Sequence, residues 1–342
     1  MNQRIEYIDL AKGFCIMLVV FNHGNVLMGD PEYALRDAFC IMRMPLYFFL
    51  SGLFFKPYEN YSGFLKRKIN KLLIPFLFFR IVSCLIGPVF NKTEIDWGNM
   101  FDFLVGQMHA PNTPIWFLIC LFWLNQIFYG IYKVSSQTKW FTPVLTGLSL
   151  LIGICGYYLG KTDYNILAMN ISTALTAIPF FCAGYLFKSH TQILYPNQWD
   201  KYLWIFILGS ALYTFAFAKA TEYFSNQYEA NAWETYSCGL AGILCVLFIS
   251  KLIKKLPLIS YFGRYSIIIL VTHMPLLQRV MPLLDRFSFP YWWETSLLAT
   301  VLVFLLYLLL IPLMKRYLPY VTAQKDLIPV NSKPNEREQG RR

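Results

Sequence analysis

The chain has 342 residues, of which 56% are hydrophobic, 18% aromatic and 14% charged, and its mean hydropathy is +0.44. This composition excludes a disordered chain and an ordinary water-soluble domain, and repeated apolar runs predict an all-α, polytopic membrane protein. The net charge of +11 is expected to lie in cytoplasmic loops, so it does not indicate a nucleic-acid partner.

Ten apolar runs are long enough to be transmembrane helices. In chain order they cover residues 8–28, 38–55, 72–90, 114–133, 142–160, 166–187, 202–218, 236–253, 266–284 and 294–314. We assign residues 1–322 to a single transmembrane domain. Residues 323–342 are polar and are predicted to form a disordered cytoplasmic tail.

The positions of the basic residues predict the orientation of the chain. With the N-terminus placed inside, 21 of the 30 Lys and Arg residues lie in or beside the inner segments and 6 lie on the outer side. Basic residues collect on the cytoplasmic side of membrane proteins, so both termini are expected to be cytoplasmic. The remaining three basic residues, Lys12, Arg43 and Arg80, fall within predicted spans.

The first span carries the strongest functional signal. Lys12 and His23 are 11 positions apart, which is about three helical turns and roughly 16 Å along one helix face. Asp9, one turn before Lys12, is placed to pair with it. A histidine at this depth has the chemistry of a general base. The alternative is structural, in which Lys12 extends to the inner surface and His23 caps a helix end.

Other polar residues inside spans are weaker candidates. Arg43 is expected to reach a depth similar to that of His23, so the two side chains would share a site. Arg80 fits an inter-helix ion pair as well as a ligand role. Ser266 and His273 lie on one face of the ninth span, where His273 is either catalytic or a buried structural residue.

A compact basic cluster, Lys66-Arg67-Lys68-Ile69-Asn70-Lys71, follows the second span. One interpretation is a cytoplasmic anchor that contacts anionic lipid. The other is a binding site for a phosphorylated cofactor, because ammonium groups bind phosphates as point charges. The eight cysteines form no CxxC pair and have no neighbouring histidine, so no metal site is expected.

Four segments together resemble sequence blocks of the membrane-bound acyltransferase-3 family, which includes bacterial O-acetyltransferases that act on extracytoplasmic glycans. The resemblance spans nearly the whole chain. The four segments are Arg4–Gly13 running on to Val19–His23, then Met44–Gly52, Pro114–Leu118 with its Trp116, and Gly263–His273.

The resemblance implies an enzyme that carries an acyl group, usually acetyl from acetyl-CoA, to a sugar hydroxyl on the outer side of the membrane. It implies that His23 is catalytic and that the basic residue Lys12 is part of the same motif. The family's basic pair after the second helix, linked to CoA, is usually arginine, whereas Lys68 and Lys71 stand here. Lysine cannot form the bidentate fork of arginine, so this chain departs from the pattern at the donor site.

These observations combine into one hypothesis. The CoA phosphates bind at Lys66, Arg67, Lys68 and Lys71, Lys12 lines the path of the acyl arm, and His23 acts as a base or acyl carrier with Arg43 beside it. The expected partners are acyl-CoA, a glycan or glycolipid acceptor, the lipid bilayer of a bacterial inner membrane and, as one option, a separate acyl-acceptor protein. The alternative is a transporter or flippase of a lipid-linked glycan, which also carries intramembrane charges.

Overall fold

The computed structural model describes residues 5–27, 34–58, 60–91, 94–105, 112–162, 168–188, 195, 197–287 and 291–330. The helices of these ranges are α1 (Glu6–Leu27), α2 (Ala34–Leu53), α3 (Tyr61–Lys68), α4 (Ile74–Asn91), α5 (Trp97–Phe101), α6 (Trp116–Ser136), α7 (Phe141–Leu159), α8 (Ile171–Phe187), α9 (Leu203–Phe217), α10 (Ala232–Ile253), α11 (Pro257–Arg264), α12 (Ser266–Leu284) and α13 (Trp292–Tyr317). Two short antiparallel strands, β1 (Thr221–Glu222) and β2 (Gln227–Tyr228), form a hairpin between α9 and α10.

Helices lie at all ten positions that the sequence predicts, which confirms an all-α polytopic membrane protein. Among the described residues, eight helices are long and apolar enough to cross a membrane. The other two predicted spans correspond to α2 and α9. Helix α2 contains three charged residues, Arg36, Asp37 and Arg43, and α9 has only 15 residues.

The third span begins earlier than the sequence predicts. Helix α3 starts at Tyr61, where the Asn60 side chain accepts a hydrogen bond of 2.8 Å from the Gly63 backbone N–H. A π-helical turn, Ile69–Leu73, joins α3 to α4, so the helical run continues through the basic cluster. The cluster is therefore part of a continuous helical run with a capped N-terminus, and its side chains have fixed directions.

Helix α1 packs against five other helices, α2, α10, α11, α12 and α13. At its contact with the short helix α11, the backbones of the two helices touch directly. A Cβ atom added at Gly13 would collide with the carbonyl oxygen of Ile259, and one added at Gly263 would collide with that of Asp9. Each helix thus presents a glycine to the other, and only glycine permits this separation.

We expect Gly13→Ala to lower the free energy of unfolding by about 1–3 kcal/mol, because the added methyl group forces α1 and α11 apart. The matched control is Gly209→Ala on α9, where an added Cβ meets no atom within 4 Å and helix propensity improves. Thermal unfolding of the purified protein in detergent measures both. Equal stability of the two variants would show that the α1–α11 contact is not tight.

Candidate functional site

A basic cavity of about 510 Å³ is lined by residues of α1, α2 and α3 on the side of the bundle that the sequence predicts to be cytoplasmic, and we call it the inner cavity. Five of its lining residues are cationic, namely Lys12, Lys56, Arg67, Lys68 and Lys71. Ser266 and Tyr47 also line it, together with apolar residues of α6 and α12. The inner cavity therefore combines a cluster of positive charges with apolar walls.

The structure brings together most of the residues predicted to bind the donor. The Lys12 ammonium nitrogen lies 4.4 Å from the centre of the Phe54 ring, and that of Lys68 lies 5.3 Å from the Phe64 ring. Such contacts hold a cation at an apolar wall. Lys66 is exposed and is not among the residues that line this cavity.

The C-terminal segment, residues 323–330, packs directly on the basic cluster. The Asp326 carboxylate lies 2.5 Å from Arg67 Nη1 and 2.9 Å from Lys71 Nζ. Asn70 accepts hydrogen bonds from the backbone N–H groups of Leu327 and Ile328 at 2.9 and 2.8 Å. The sequence predicts a disordered tail from Ala323 onward, whereas residues 323–330 pack on the helix. Asn70 accepts hydrogen bonds from their backbone, and the basic residues pair with Asp326. Residues 331–342 lie outside the described residues.

The charge of Asp326 is stabilised by its partners. Partial burial works to raise the pKa of this carboxyl, but the hydrogen bond and charge of Lys71 and the charge of Arg67 outweigh it and lower the pKa below its ordinary value of 3.8. Two of the cations in the inner cavity are thus already paired with a carboxylate. A phosphate that binds them has to share them with Asp326 or displace it.

A second cavity, of about 920 Å³, lies on the side of the bundle that the sequence predicts to be extracytoplasmic, and we call it the outer cavity. Helix α1 contributes Asn22 and His23, α2 contributes Cys40 and Arg43, and Trp116 begins α6 at its edge. The hairpin between α9 and α10 forms another wall, from Ala220 to Glu229. The outer cavity therefore contains both predicted catalytic residues, His23 and Arg43, together with Trp116.

His23 and His273 form a pair beside the outer cavity. His273 Nε2 lies 3.2 Å from His23 Nδ1, and the two ring centres are 5.0 Å apart. His273 Nδ1 lies 2.9 Å from the Ile269 carbonyl oxygen, and His23 Nδ1 lies 2.8 Å from that of Val19. His273 is fully buried.

These distances assign the hydrogens of the two rings. A carbonyl oxygen only accepts, so the hydrogen of His273 is on Nδ1 and its Nε2 carries a lone pair. His23 then also carries its hydrogen on Nδ1, shared between the Val19 carbonyl and His273 Nε2. The free lone pair of His23 is consequently on Nε2, so Nε2 is the nitrogen that can accept a proton.

Arg43 is held beside this pair by sulfur and backbone contacts. Its Nη2 lies 3.1 Å from Cys40 Sγ, and its carbonyl oxygen accepts a hydrogen bond of 3.1 Å from the Cys15 thiol. Its Nε is buried and has no hydrogen-bond partner among the described residues. A buried donor without a partner is costly, so this guanidinium has unused capacity to bind an oxygen atom.

An aromatic layer separates the two cavities. Tyr47 lines the inner cavity, Trp116 lines the outer one, and Phe117 lies between them with ring-centre distances of 5.6 Å to Tyr47 and 6.0 Å to Trp116. The Tyr47 hydroxyl donates a hydrogen bond of 3.3 Å to the Lys12 carbonyl. This layer joins the inner-cavity lysine to the outer-cavity wall.

Four predicted residues lie outside both sets of lining residues, namely Lys66, His273, Arg80 and Asp9. Arg80 forms a buried ion pair with Asp102 and donates a hydrogen bond of 2.6 Å to the Asn99 carbonyl. The ion-pair interpretation of Arg80 therefore describes it better than a ligand role. Asp9 is buried, and its carboxylate lies 3.9 Å from Arg264 Nε at the α1–α11 contact.

Sequence reasoning missed several lining residues. Tyr47 lies in the Met44–Gly52 segment, but the sequence did not indicate its position between the two cavities. The outer hairpin gave only a weak signal, an acidic and aromatic outer loop. Lys56 directly follows the second predicted span, and Asn125 is a polar residue in the middle of the fourth; neither stood out in the sequence.

A family profile described as an acyltransferase domain matches residues 5–315. The chain belongs to the acyltransferase-3 family. It is therefore a multi-pass membrane acyltransferase, and this membership favours an enzyme over the transporter alternative. No curated protein and no solved structure matches the chain. Among the described residues there is no group of three or more His, Cys, Asp or Glu side chains that could hold a metal ion.

We expect Asp326→Asn to increase amide hydrogen exchange in residues 323–330 severalfold, because two partly exposed ion pairs worth about 0.2–1 kcal/mol each are lost. Since the folded pKa of Asp326 is below 3.8, the wild-type contact should persist as the pH falls from 7 to 3.8 and be lost below that. Exchange measured by mass spectrometry tests this.

The control for this prediction is Asp285→Asn, which makes the same charge change in an exposed outer-side residue. It should leave exchange in residues 323–330 unchanged. Faster exchange in both variants would indicate a general loss of stability and would contradict a specific role for Asp326.

Proposed function

We propose that this enzyme transfers an acyl group, acetyl in the first instance, from cytoplasmic acyl-CoA to a hydroxyl group of a sugar on the outer side of a bacterial inner membrane. One observation carries the proposal. Helix α1 lines the basic inner cavity with Lys12 and the outer cavity with His23. A single helix thus connects a cavity lined by cations with a candidate base.

The inner cavity suits the donor. The phosphates of CoA would bind Arg67, Lys68 and Lys71, with Asp326 giving way to them. The acyl-bearing arm would pass Lys12 and Ser266 into the apolar part of the cavity. Because α1 extends roughly 16 Å from Lys12 to His23, an extended arm is needed to bring the thioester near the histidine.

In this mechanism the acceptor hydroxyl gives its proton to His23 Nε2, and its oxygen attacks the thioester carbonyl carbon. A C–O bond forms, the C–S bond breaks, and the departing CoA thiolate takes the proton back from His23. A variant of the scheme has His23 carry the acyl group briefly before the hydroxyl accepts it. Both schemes need Nε2 as the reactive nitrogen.

Arg43 and His273 have supporting roles. The Arg43 guanidinium would donate a hydrogen bond to the thioester oxygen as negative charge develops on it, which uses the donor that otherwise has no partner. His273 is a positioning residue, because its Nε2 accepts from His23 Nδ1 and so keeps the lone pair of His23 on Nε2. The same contact stabilises positive charge that forms on His23.

We expect His23→Ala to reduce acetyl transfer by about 10²–10⁴-fold, the usual contribution of a general base. The assay follows labelled acetyl-CoA into alkali-labile ester in membranes that contain the full-length protein and a glycan extract. Binding of the donor should be unchanged. Full activity of His23→Ala would exclude this mechanism.

His273 has a separate test. His273→Gln keeps a side-chain acceptor near His23 Nδ1 and should retain more activity than His273→Leu, which removes it. We also expect the lower limb of the pH–rate profile to shift in His273→Leu, because the base has lost a partner. A pH profile identical to that of the wild type would show that His273 is only a packing residue.

The donor site is tested by substituting its lysines. Lys68→Ala/Lys71→Ala should raise KM for acetyl-CoA by about tenfold or more, because charge-assisted hydrogen bonds to phosphate are lost. The KM for S-acetyl-N-acetylcysteamine, a donor without phosphates, should not change. Lys66→Ala, adjacent in the chain but exposed and outside the cavity lining, is the matched control. An equal effect on both donors would contradict phosphate binding at this cluster.

A further inference from the structure

The outer hairpin, residues 218–231, forms one wall of the outer cavity, which His23 also lines. Eight hairpin residues, from Ala220 to Glu229, line the cavity. An acceptor bound in this cavity would therefore contact the side chains of the hairpin.

The hairpin is held firmly by neighbouring helices. Asn226 donates a hydrogen bond of 3.0 Å to the Gly156 carbonyl and accepts one of 2.9 Å from Thr176. The Tyr157 hydroxyl donates a hydrogen bond of 2.6 Å to the Ala230 carbonyl. These buried contacts fix both the tip and the base of the hairpin, so its cavity-facing side chains form a preorganised surface.

The charges that line the outer cavity are mostly negative. Asp37, Glu222 and Glu229 contribute three carboxylates, and Arg43 is the only Lys or Arg among the described lining residues. Glu222 and Glu229 are exposed, and the Ser225 hydroxyl donates to Glu222 at 2.9 Å. Ionised carboxylates accept strong hydrogen bonds from hydroxyl groups and repel a carboxylate on a ligand.

Two buried hydroxyl groups of the same wall have no partner. The Tyr223 hydroxyl and Thr221 Oγ1 are inaccessible to solvent and make no hydrogen bond within the described part of the chain. Tyr223 is only 3% exposed and lines the cavity. By contrast, the neighbouring Tyr228 hydroxyl donates a hydrogen bond of 3.0 Å to Asn226. Buried polar atoms without partners mark positions where a ligand supplies the missing hydrogen bond.

We infer that the outer cavity binds a polyhydroxyl acceptor that is neutral or carries an amine, and that it rejects sugars bearing a carboxylate. The hydroxyl groups of such a sugar donate to Glu222 and Glu229 and exchange hydrogen bonds with Tyr223 and Thr221. This inference rests on the proposed function for the identity of the site as the acceptor site. It specifies the charge of the acceptor, which the proposed function leaves open.

Three methyl glucosides that differ only at C6 test this inference. They carry a hydroxymethyl group, an aminomethyl group or a carboxylate, and each is offered with labelled acetyl-CoA to the purified full-length protein. We expect kcat/KM for ester formation to be at least about tenfold lower for the carboxylate than for the neutral glucoside, because like charges face each other across the cavity. Equal rates, or a preference for the carboxylate, overturn the inference while leaving the acyltransferase intact.

Binding without catalysis separates this inference from the proposed function. The three glucosides are titrated into the His23→Ala protein without acyl-CoA, and saturation-transfer NMR reports contact. Binding of the neutral and amine glucosides but not of the carboxylate supports the inference even if no ester forms. Binding of none of them, or of the carboxylate as strongly as the others, overturns it.

Matched tyrosine variants identify the hairpin as the selecting wall. Tyr223→Phe removes a hydroxyl that has no hydrogen-bond partner among the described residues, so thermal stability should not fall, yet the KM for the neutral glucoside should rise severalfold. Tyr228→Phe removes a hydroxyl that bonds Asn226, so thermal stability should fall. An unchanged acceptor KM in Tyr223→Phe contradicts the proposed contact.

A further variant tests whether the hairpin carboxylates disfavour an acceptor that carries a negative charge. Glu222→Gln/Glu229→Gln should raise kcat/KM for the carboxylate glucoside relative to the neutral one and bring the two rates together. Glu94→Gln is the control, since Glu94 is exposed on the outer side but does not line the cavity. If the double variant leaves the ratio of rates unchanged, the carboxylates of the hairpin do not set acceptor charge.

Discussion

The close contact between α1 and α11 is the constraint on which the site depends. Gly13 and Gly263 allow the two backbones to touch, so α1 cannot rotate or slide without a collision. The rotation of α1 decides which side chains face each cavity. Since Lys12 and His23 lie on one face about three turns apart, a single packing contact at Gly13 sets the directions of both.

Polar groups in the centre of the bundle are held by one another, because lipid offers them no partner. His23 shares its hydrogen with Val19 and His273, while sulfur and backbone contacts hold Arg43 on the neighbouring helix. The Arg43 Nε is an exception, buried without a partner. Most polar atoms of the bundle thus have partners, whereas this donor lies unused beside a candidate base. The site is therefore preorganised for an oxygen atom that arrives with the substrate.

Much of this arrangement could be predicted from the sequence, since apolar runs of fixed length identify membrane helices and helical spacing places Lys12 and His23 on one face. Contacts between distant segments could not. The 250-residue separation of His23 and His273, the docking of Asp326 on Arg67 and the fold of the outer hairpin all depend on tertiary packing. Arg80 illustrates the same limit, because its partner Asp102 lies beyond a helix end and no local pattern joins the two.

The two-cavity architecture has a physical rationale for the proposed reaction. CoA carries several phosphate charges, and moving them through an apolar bundle would require a large desolvation free energy. The arm that carries the acyl group is narrow and lacks these charges, so in the proposed reaction it would extend past the layer formed by Tyr47, Phe117 and Trp116 while the phosphates stay at the inner cavity. The same aromatic layer would keep bulk water away from the thioester, which favours transfer to a sugar hydroxyl over hydrolysis. The basic inner cavity and the acidic outer wall thus lie on opposite sides of the aromatic layer that the acyl-bearing arm has to cross.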